Sequence, residues 1–163
     1  MNYAQARSRI QSGDLLAWTT KGESWIKRFL IYIGRLGELS EWTHVGVAWV
    51  TGHDVFTIEA VGTGVRLFPL ERDLPCYHLA RNTPLTDAQL DFALSKIGQR
   101  YSWLECVLAW ARLNDPRNSR WECAELAAAI LELDCQAVPA AVINLVMEQG
   151  AVQTLITHNE SQP

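Results

Sequence analysis

Two short runs rich in β-branched residues, separated by a turn, constrain this chain more than any other feature. Val45–Val50 and Val55–Ala60 read as strands, and Thr51-Gly52-His53-Asp54 between them reads as a hairpin-type turn. If Thr51 pairs with Asp54, then Val50 faces Val55, and counting outward sets Gly46 opposite Glu59. His44 lies two residues from Gly46, so it shares that face and stands diagonal to Glu59. Diagonal neighbours on one face are close enough for long side chains to meet, and Gly46 is expected to leave the space between them empty. An odd number of loop residues would turn Glu59 to the other face instead.

Other elements can be placed around this hairpin. Gly13-Asp14 opens a strand over Leu15–Trp18, and Val65–Leu70, Cys76–Ala80 and Val152–Thr157 are further strand candidates. Ser24–Leu36 reads as a helix with Trp25, Phe29, Tyr32 and Ile33 on one face. Thr86 with Gln89 forms a capping box for a helix running to Gly98. Ser102–Leu113 predicts a Trp-rich helix. Ser119-Arg120-Trp121-Glu122 is a second capping box, opening a helix through the alanines to Leu133. Pro139 falls in the first turn of a last helix ending near Gly150. Strands dominate the first half and helices the second, which predicts an α+β domain. With 163 residues, no repeat and no linker, the expectation is one domain over 1–163, with 158–163 as a loose polar tail.

Charge and composition exclude several functions. A formal charge of −4 argues against a nucleic-acid binder, which normally carries a basic face. Met1–Ser12 is polar and lacks the apolar stretch of a secretory signal. Trp25–Gly34 is interrupted by Lys27 and Arg28 and is too short to span a bilayer. A cytoplasmic location without stable membrane insertion is therefore expected, and in that compartment the four cysteines are expected as free thiols. No C-x-x-C pair or H-E-x-x-H helix occurs and the four histidines are scattered, so no metal and no cofactor is expected.

Cys123 is the candidate nucleophile. With Ser119 as cap it falls in a first helical turn, where the positive end of the helix dipole favours thiolate over thiol, and an imidazolium nearby favours it further. The plainer alternative is that Cys123 packs its helix on the sheet, as Ala127 and Ala128 do. For His44 the alternative is a satisfied core histidine, and for Glu59 a solvent-facing acid. Together the three residues have the makings of a nucleophile, a base and an orienting acid. His53 in the turn, His78 near Cys76, and His158 in the tail are weaker candidates, and Cys106 and Cys135 read as core filler.

Gly13-Asp14-Leu15-Leu16-Ala17-Trp18 and Thr43-His44-Val45-Gly46-Val47-Ala48-Trp49 resemble two signature strands of the NlpC-type cell-wall peptidase superfamily, whose members are papain-like cysteine peptidases. There the cysteine helix usually precedes both strands. Here the matching helix, Trp121-Glu122-Cys123-Ala124-Glu125-Leu126, follows them, an order similar to the circularly permuted YiiX-type branch. Ile58-Glu59-Ala60 with Gly64-Val65 and Pro69-Leu70 resembles the stretch carrying that group's third catalytic residue, Gly98 with Tyr101 its Gly-Tyr turn, and Val138-Pro139 its last helix. Ala124 stands where a Ser is common and Ser102 where an Asp often follows the Tyr, which touches pocket shape rather than the three reacting groups.

The resemblance implies a permuted papain-like fold, an antiparallel sheet or small barrel packed against helices. It also implies acyl transfer through Cys123, His44 and Glu59, with Tyr101, Trp42 and Trp121 lining the substrate groove. A peptide or peptidoglycan fragment is the expected substrate. Acyl transfer to another acceptor, lipid hydrolysis, and an inactive Trp-lined binding module are the competing expectations.

Overall fold

Residues 1–19, 41–100, 121–136 and 138–159 are described by a computed structural model. A short helix α1 (Tyr3–Ala6), capped by the Asn2 side chain, precedes strand β1 (Leu15–Thr19). The turn marked in the sequence then joins β2 (Trp42–Thr51) to β3 (Asp54–Val61). Its Gly52 has φ 60°, a conformation that costs a side-chain-bearing residue more than glycine. Thr51 pairs with Asp54 and Val50 with Val55, as the turn residues predict. Next come β4 (Gly64–Pro69), a 3-10 turn (Leu70–Arg72) and β5 (Cys76–Ala80). Helices α2 (Asp87–Ser95), α3 (Cys123–Leu131) and α4 (Pro139–Glu148) follow, and β6 (Val152–Ile156) closes the order.

Among the described residues the strands pair antiparallel in one six-stranded sheet of order β4-β3-β2-β1-β5-β6. Of the two expected arrangements, an open sheet is found; β4 and β6 are its edges and no barrel closes among the described residues. The strand alternation sends side chains to two separate cores. Leu15, Ala17, Val45, Val47, Ile58 and Leu79 meet Leu126, Ile130, Val142 and Val146 of α3 and α4 on one face. Leu16, Ala48, Val55 and Cys76 meet Tyr3, Ala6, Ile10, Leu70 and Ile156 on the other. Each large aliphatic side chain so buried contributes roughly 1.5–3 kcal/mol.

Element ends differ from the sequence reading where local chemistry competes. The Thr86–Gln89 capping box starts α2 as expected, but the helix stops at Ser95, and Gly98 turns with φ 86° three residues later. Helix α3 begins at Cys123, with Glu122 rather than Ser119 at the N-cap, and Glu125 supplies the reciprocal half of the box. Just before it, the Trp121 backbone N–H donates to Arg100 O (3.1 Å), and Glu122 itself is extended. The helix ends on Glu132 at φ 53°, short of Leu133. The tail expected to be loose from His158 is tied at its start, His158 Nε2 to Leu74 O and Ala4 N to Asn159 Oδ1, each 3.0 Å. The expected helices at 24–36 and 102–113 lie outside the described residues. No helix of the described residues is long and apolar enough to cross a membrane.

Candidate active site

The site begins with two strands that part company. The β2–β3 ladder runs from Thr51 opposite Asp54 to Val47 opposite Ile58. Gly46 and Glu59 lie just past its last pair. A Cβ on Gly46 would collide with the Thr57 methyl and come within 3.2 Å of Ile58 O and 3.3 Å of Glu59 Cβ. The space that glycine frees is therefore not empty, as the sequence suggested, but filled by Thr57 and the stem of Glu59. Close approach of this kind is what lets Glu59 reach His44.

His44 Nε2–H donates to Glu59 Oε2 at 2.5 Å. The Glu59 side chain has no exposed surface, whereas that of His44 keeps 21%. Glu59 Oε1 accepts from Arg66 Nε at 2.7 Å and Nη2 at 2.6 Å. Arg66 stands directly opposite Glu59 in the β3–β4 ladder, and its guanidinium lies 4.1 Å above the Phe68 ring. Burial favours the neutral acid, but these two cationic partners hold the Glu59 carboxyl below its ordinary range.

On its other strand neighbour His44 faces Trp18, the two rings tilted with centroids 5.2 Å apart. The β1–β2 register slips between Trp18 and Thr19, and Thr43 Oγ1 fills in by donating to Trp18 O at 3.1 Å. The Trp18 indole is itself fixed, its N–H donating to Asp73 O at 2.6 Å. Burial, and then the Glu59 charge, raise the Asp73 carboxyl.

Helix α3 brings Cys123 to this ring. Cys123 is its first residue and 8% exposed, and α3 packs on β2. Since Nε2 is committed to Glu59, the remaining ring nitrogen, Nδ1, is the one that can serve the thiol. Burial disfavours a thiolate, and Glu122 opposes it. The His44 imidazolium and a backbone hydrogen bond from Val45 outweigh both and hold the Cys123 thiol below its ordinary value. His44 responds in kind: burial would lower it, but the Cys123 and Glu59 charges push it up to about 10.

The expected groove residues are less clearly engaged. Trp42 packs edge-on against Tyr77 (5.2 Å) and Trp121 edge-on against Phe92 (6.0 Å), with Trp121 Nε1–H donating to Gln99 Oε1 at 2.6 Å. Both are half-buried against the helix-side core. Tyr101 lies outside the described residues, as does Cys106. Cys76 is 1% exposed and burial pushes its thiol up to about 12, which disfavours its thiolate; burial also raises Cys135. His78 pairs not with Cys76 but with buried Asp14, 2.7 Å from Nε2 to Oδ2. Asp14 also accepts from Gln11 N and Arg81 N, which makes the Gly13-Asp14 signature a turn lock.

No protein-family model matches the chain, and no curated protein matches it in sequence. A solved structure does align, that of the metalloprotein YiiX from Escherichia coli O157:H7, with TM-score 0.54 and 18% identity over 76% of this chain. The fold is YiiX-like. The alignment takes in 66% of that protein, just under two thirds of its length. At this identity the YiiX likeness concerns the fold alone.

The metal in that description belongs to that protein. Here both Glu59 oxygens are already taken, by His44 and by Arg66. Among the described residues no group of three His, Cys, Asp or Glu is placed to hold a metal ion. What the YiiX-like scaffold does assemble is a thiol, an imidazole and a carboxylate in sequence, backed by a guanidinium. Arg66 was absent from the sequence reading, although a signal existed. The two-residue count that paired Glu59 with Gly46 also pairs it with Arg66, across Val61 and Gly64.

Proposed function

We propose that this chain is a cysteine hydrolase of amide bonds in which Cys123 is the nucleophile, His44 the general base and acid, and Glu59 the orienting acid. The observation that carries the reading is the His44 ring, held by Glu59 at Nε2 and left with one nitrogen for a cysteine at a helix start. The chain order, with the cysteine helix after the histidine strand, supports a circularly permuted papain-like relationship.

In this reading the Cys123 thiolate attacks the carbonyl carbon. The developing oxyanion is received by the backbone N–H groups at the start of α3, which have no intrahelical acceptor. His44, carrying the proton, passes it to the leaving amine, and the acyl group stays on sulfur as a thioester. His44 then takes a proton from water, the hydroxide attacks the thioester carbonyl, and a carboxylic acid leaves with Cys123 restored. A peptide amide of the cell-wall type, including γ-linked bonds, is the proposed substrate class.

The test is mass spectrometry of peptidoglycan fragments incubated with the protein and with Cys123→Ala. Hydrolysis adds one water per cut and disappears in the variant. Fragments left whole by the wild type would remove the cell-wall substrate class. Products carrying an acceptor in place of water would reassign the chain to acyl transfer.

A further inference from the structure

The chemistry proposed above gathers two anions, the Cys123 thiolate and the Glu59 carboxylate, around one imidazolium. Glu59 and Cys123 are buried and His44 is partly so, with 21% of its side chain exposed. Such a cluster carries one net negative charge away from water, which is costly unless a further cation balances it. The next charge along is Arg66, with two N–H groups on Glu59 Oε1. The β-ladder sets Arg66 opposite Glu59, and Phe68 supports its guanidinium from below. Its 39% exposed side chain lets the guanidinium keep part of its hydration while its donors reach inward.

We propose that Arg66 is a positioning residue of this site: its guanidinium is the counter-charge that keeps Glu59 ionised and turned with Oε2 toward His44. The inference rests on the triad reading and deepens it. With Arg66 the four groups sum to zero charge as thiolate, imidazolium, carboxylate and guanidinium. Without Arg66 the cheapest relief is uptake of a proton, on the carboxylate or on the thiolate, and either leaves less reactive sulfur at neutral pH. The fork matters as well as the charge, because two donors on one oxygen restrict the carboxylate's rotation. The other charged groups bearing on this cluster are Asp73, after the 3-10 turn, and Glu122, at the start of α3; both are acids and neither can replace the guanidinium.

The experiment is alkylation of Cys123 by iodoacetamide, followed by mass spectrometry from acid to alkaline pH. It compares wild type, R66M, R66K, H44A, E59Q and the double variant E59Q/R66M. The expected result is that R66M moves the acid-side midpoint upward by about one unit or more. R66K should recover more than half of that shift, and R66M should add little once Glu59 is Gln. An R66M profile equal to wild type overturns the inference. So does an equal R66M shift with and without Glu59, since Arg66 would then act on the thiol directly. R66K behaving like R66M would show that charge is not the agent. If R66M does not fold, R66Q carries the same comparison. H44A reacting as fast as wild type at pH 7 would instead overturn the thiolate–imidazolium reading itself, a result separable from failure at Arg66.

Discussion

Glu59 Oε2 lies 2.5 Å from His44 Nε2, so the imidazole is fixed through its far nitrogen and offers the near one to Cys123. The Glu59 carboxylate is fully buried, while the His44 side chain keeps 21% of its surface exposed. Consequences of this arrangement can be measured.

Alkylation near pH 7 is expected first at Cys123. Cys76 is held up at about 12 and Cys135 is raised, while the His44 charge lowers only Cys123 among the described thiols. His44→Ala should slow the reaction at Cys123 by at least tenfold, about one unit of thiol pKa. Peptide mapping that finds Cys76 or Cys135 modified faster would remove Cys123 as the nucleophile.

Turnover of any accepted amide or activated ester should depend on both charges of the pair. The acid limb should lie below the ordinary thiol value of 9.0. On the alkaline side the rate should fall as pH passes about 10, where His44 loses the proton the leaving group needs. A pH–rate profile of kcat/KM that climbs steadily past 10 would contradict an imidazolium donor.

His44→Ala is expected to cost about 10²–10⁴-fold in kcat, the usual worth of a positioned acid–base group. Glu59→Gln should retain more activity, because the amide still holds the ring although it no longer balances its charge. Kinetics in which Glu59→Gln equals wild type would take Glu59 out of the site.

Stability should carry the same signature. Glu59 is depressed below its ordinary 4.5, so its contribution is fully present above that value and is lost as pH falls through the depressed one. Melting temperature against pH should therefore fall more steeply on the acid side for wild type than for Glu59→Gln. Parallel curves would mean that the ion pairs contribute no net stability.

Asp14→Asn offers a control away from the site. It weakens a buried pairing with His78 and should cost about 2–3 kcal/mol in urea unfolding, with Cys123 alkylation at pH 7 unchanged. Gly46→Ala should do the opposite in kind. Crowding Thr57 and Glu59 Cβ, it should destabilise by about 1–3 kcal/mol and also slow Cys123, since the strain falls on the Glu59 stem. A Gly46→Ala protein with wild-type alkylation would show that the crowding relaxes away from Glu59.

The register of the central hairpin was written into local residues. Gly52 permits the left-handed turn, the two-residue loop fixes Thr51 opposite Asp54, and period-two alternation does the rest. From that count alone His44 and Glu59 share a face, and the Thr86–Gln89 cap and Pro139 mark two helix starts in the same local way. Other features depended on chain segments distant in sequence. Glu122 caps α3, so that Cys123 is its first residue, and the preceding Trp121 bonds to Arg100, 21 residues away in sequence. The docking of that helix on β2, the His78–Asp14 lock between residues 64 apart, and the filling of Gly46's space by Thr57 are likewise tertiary. Hydrogen-bond periodicity acts over a few residues and can be read along the chain. Which thiol, ring and cation come to lie together is decided only when separate elements pack and water is partly excluded between them.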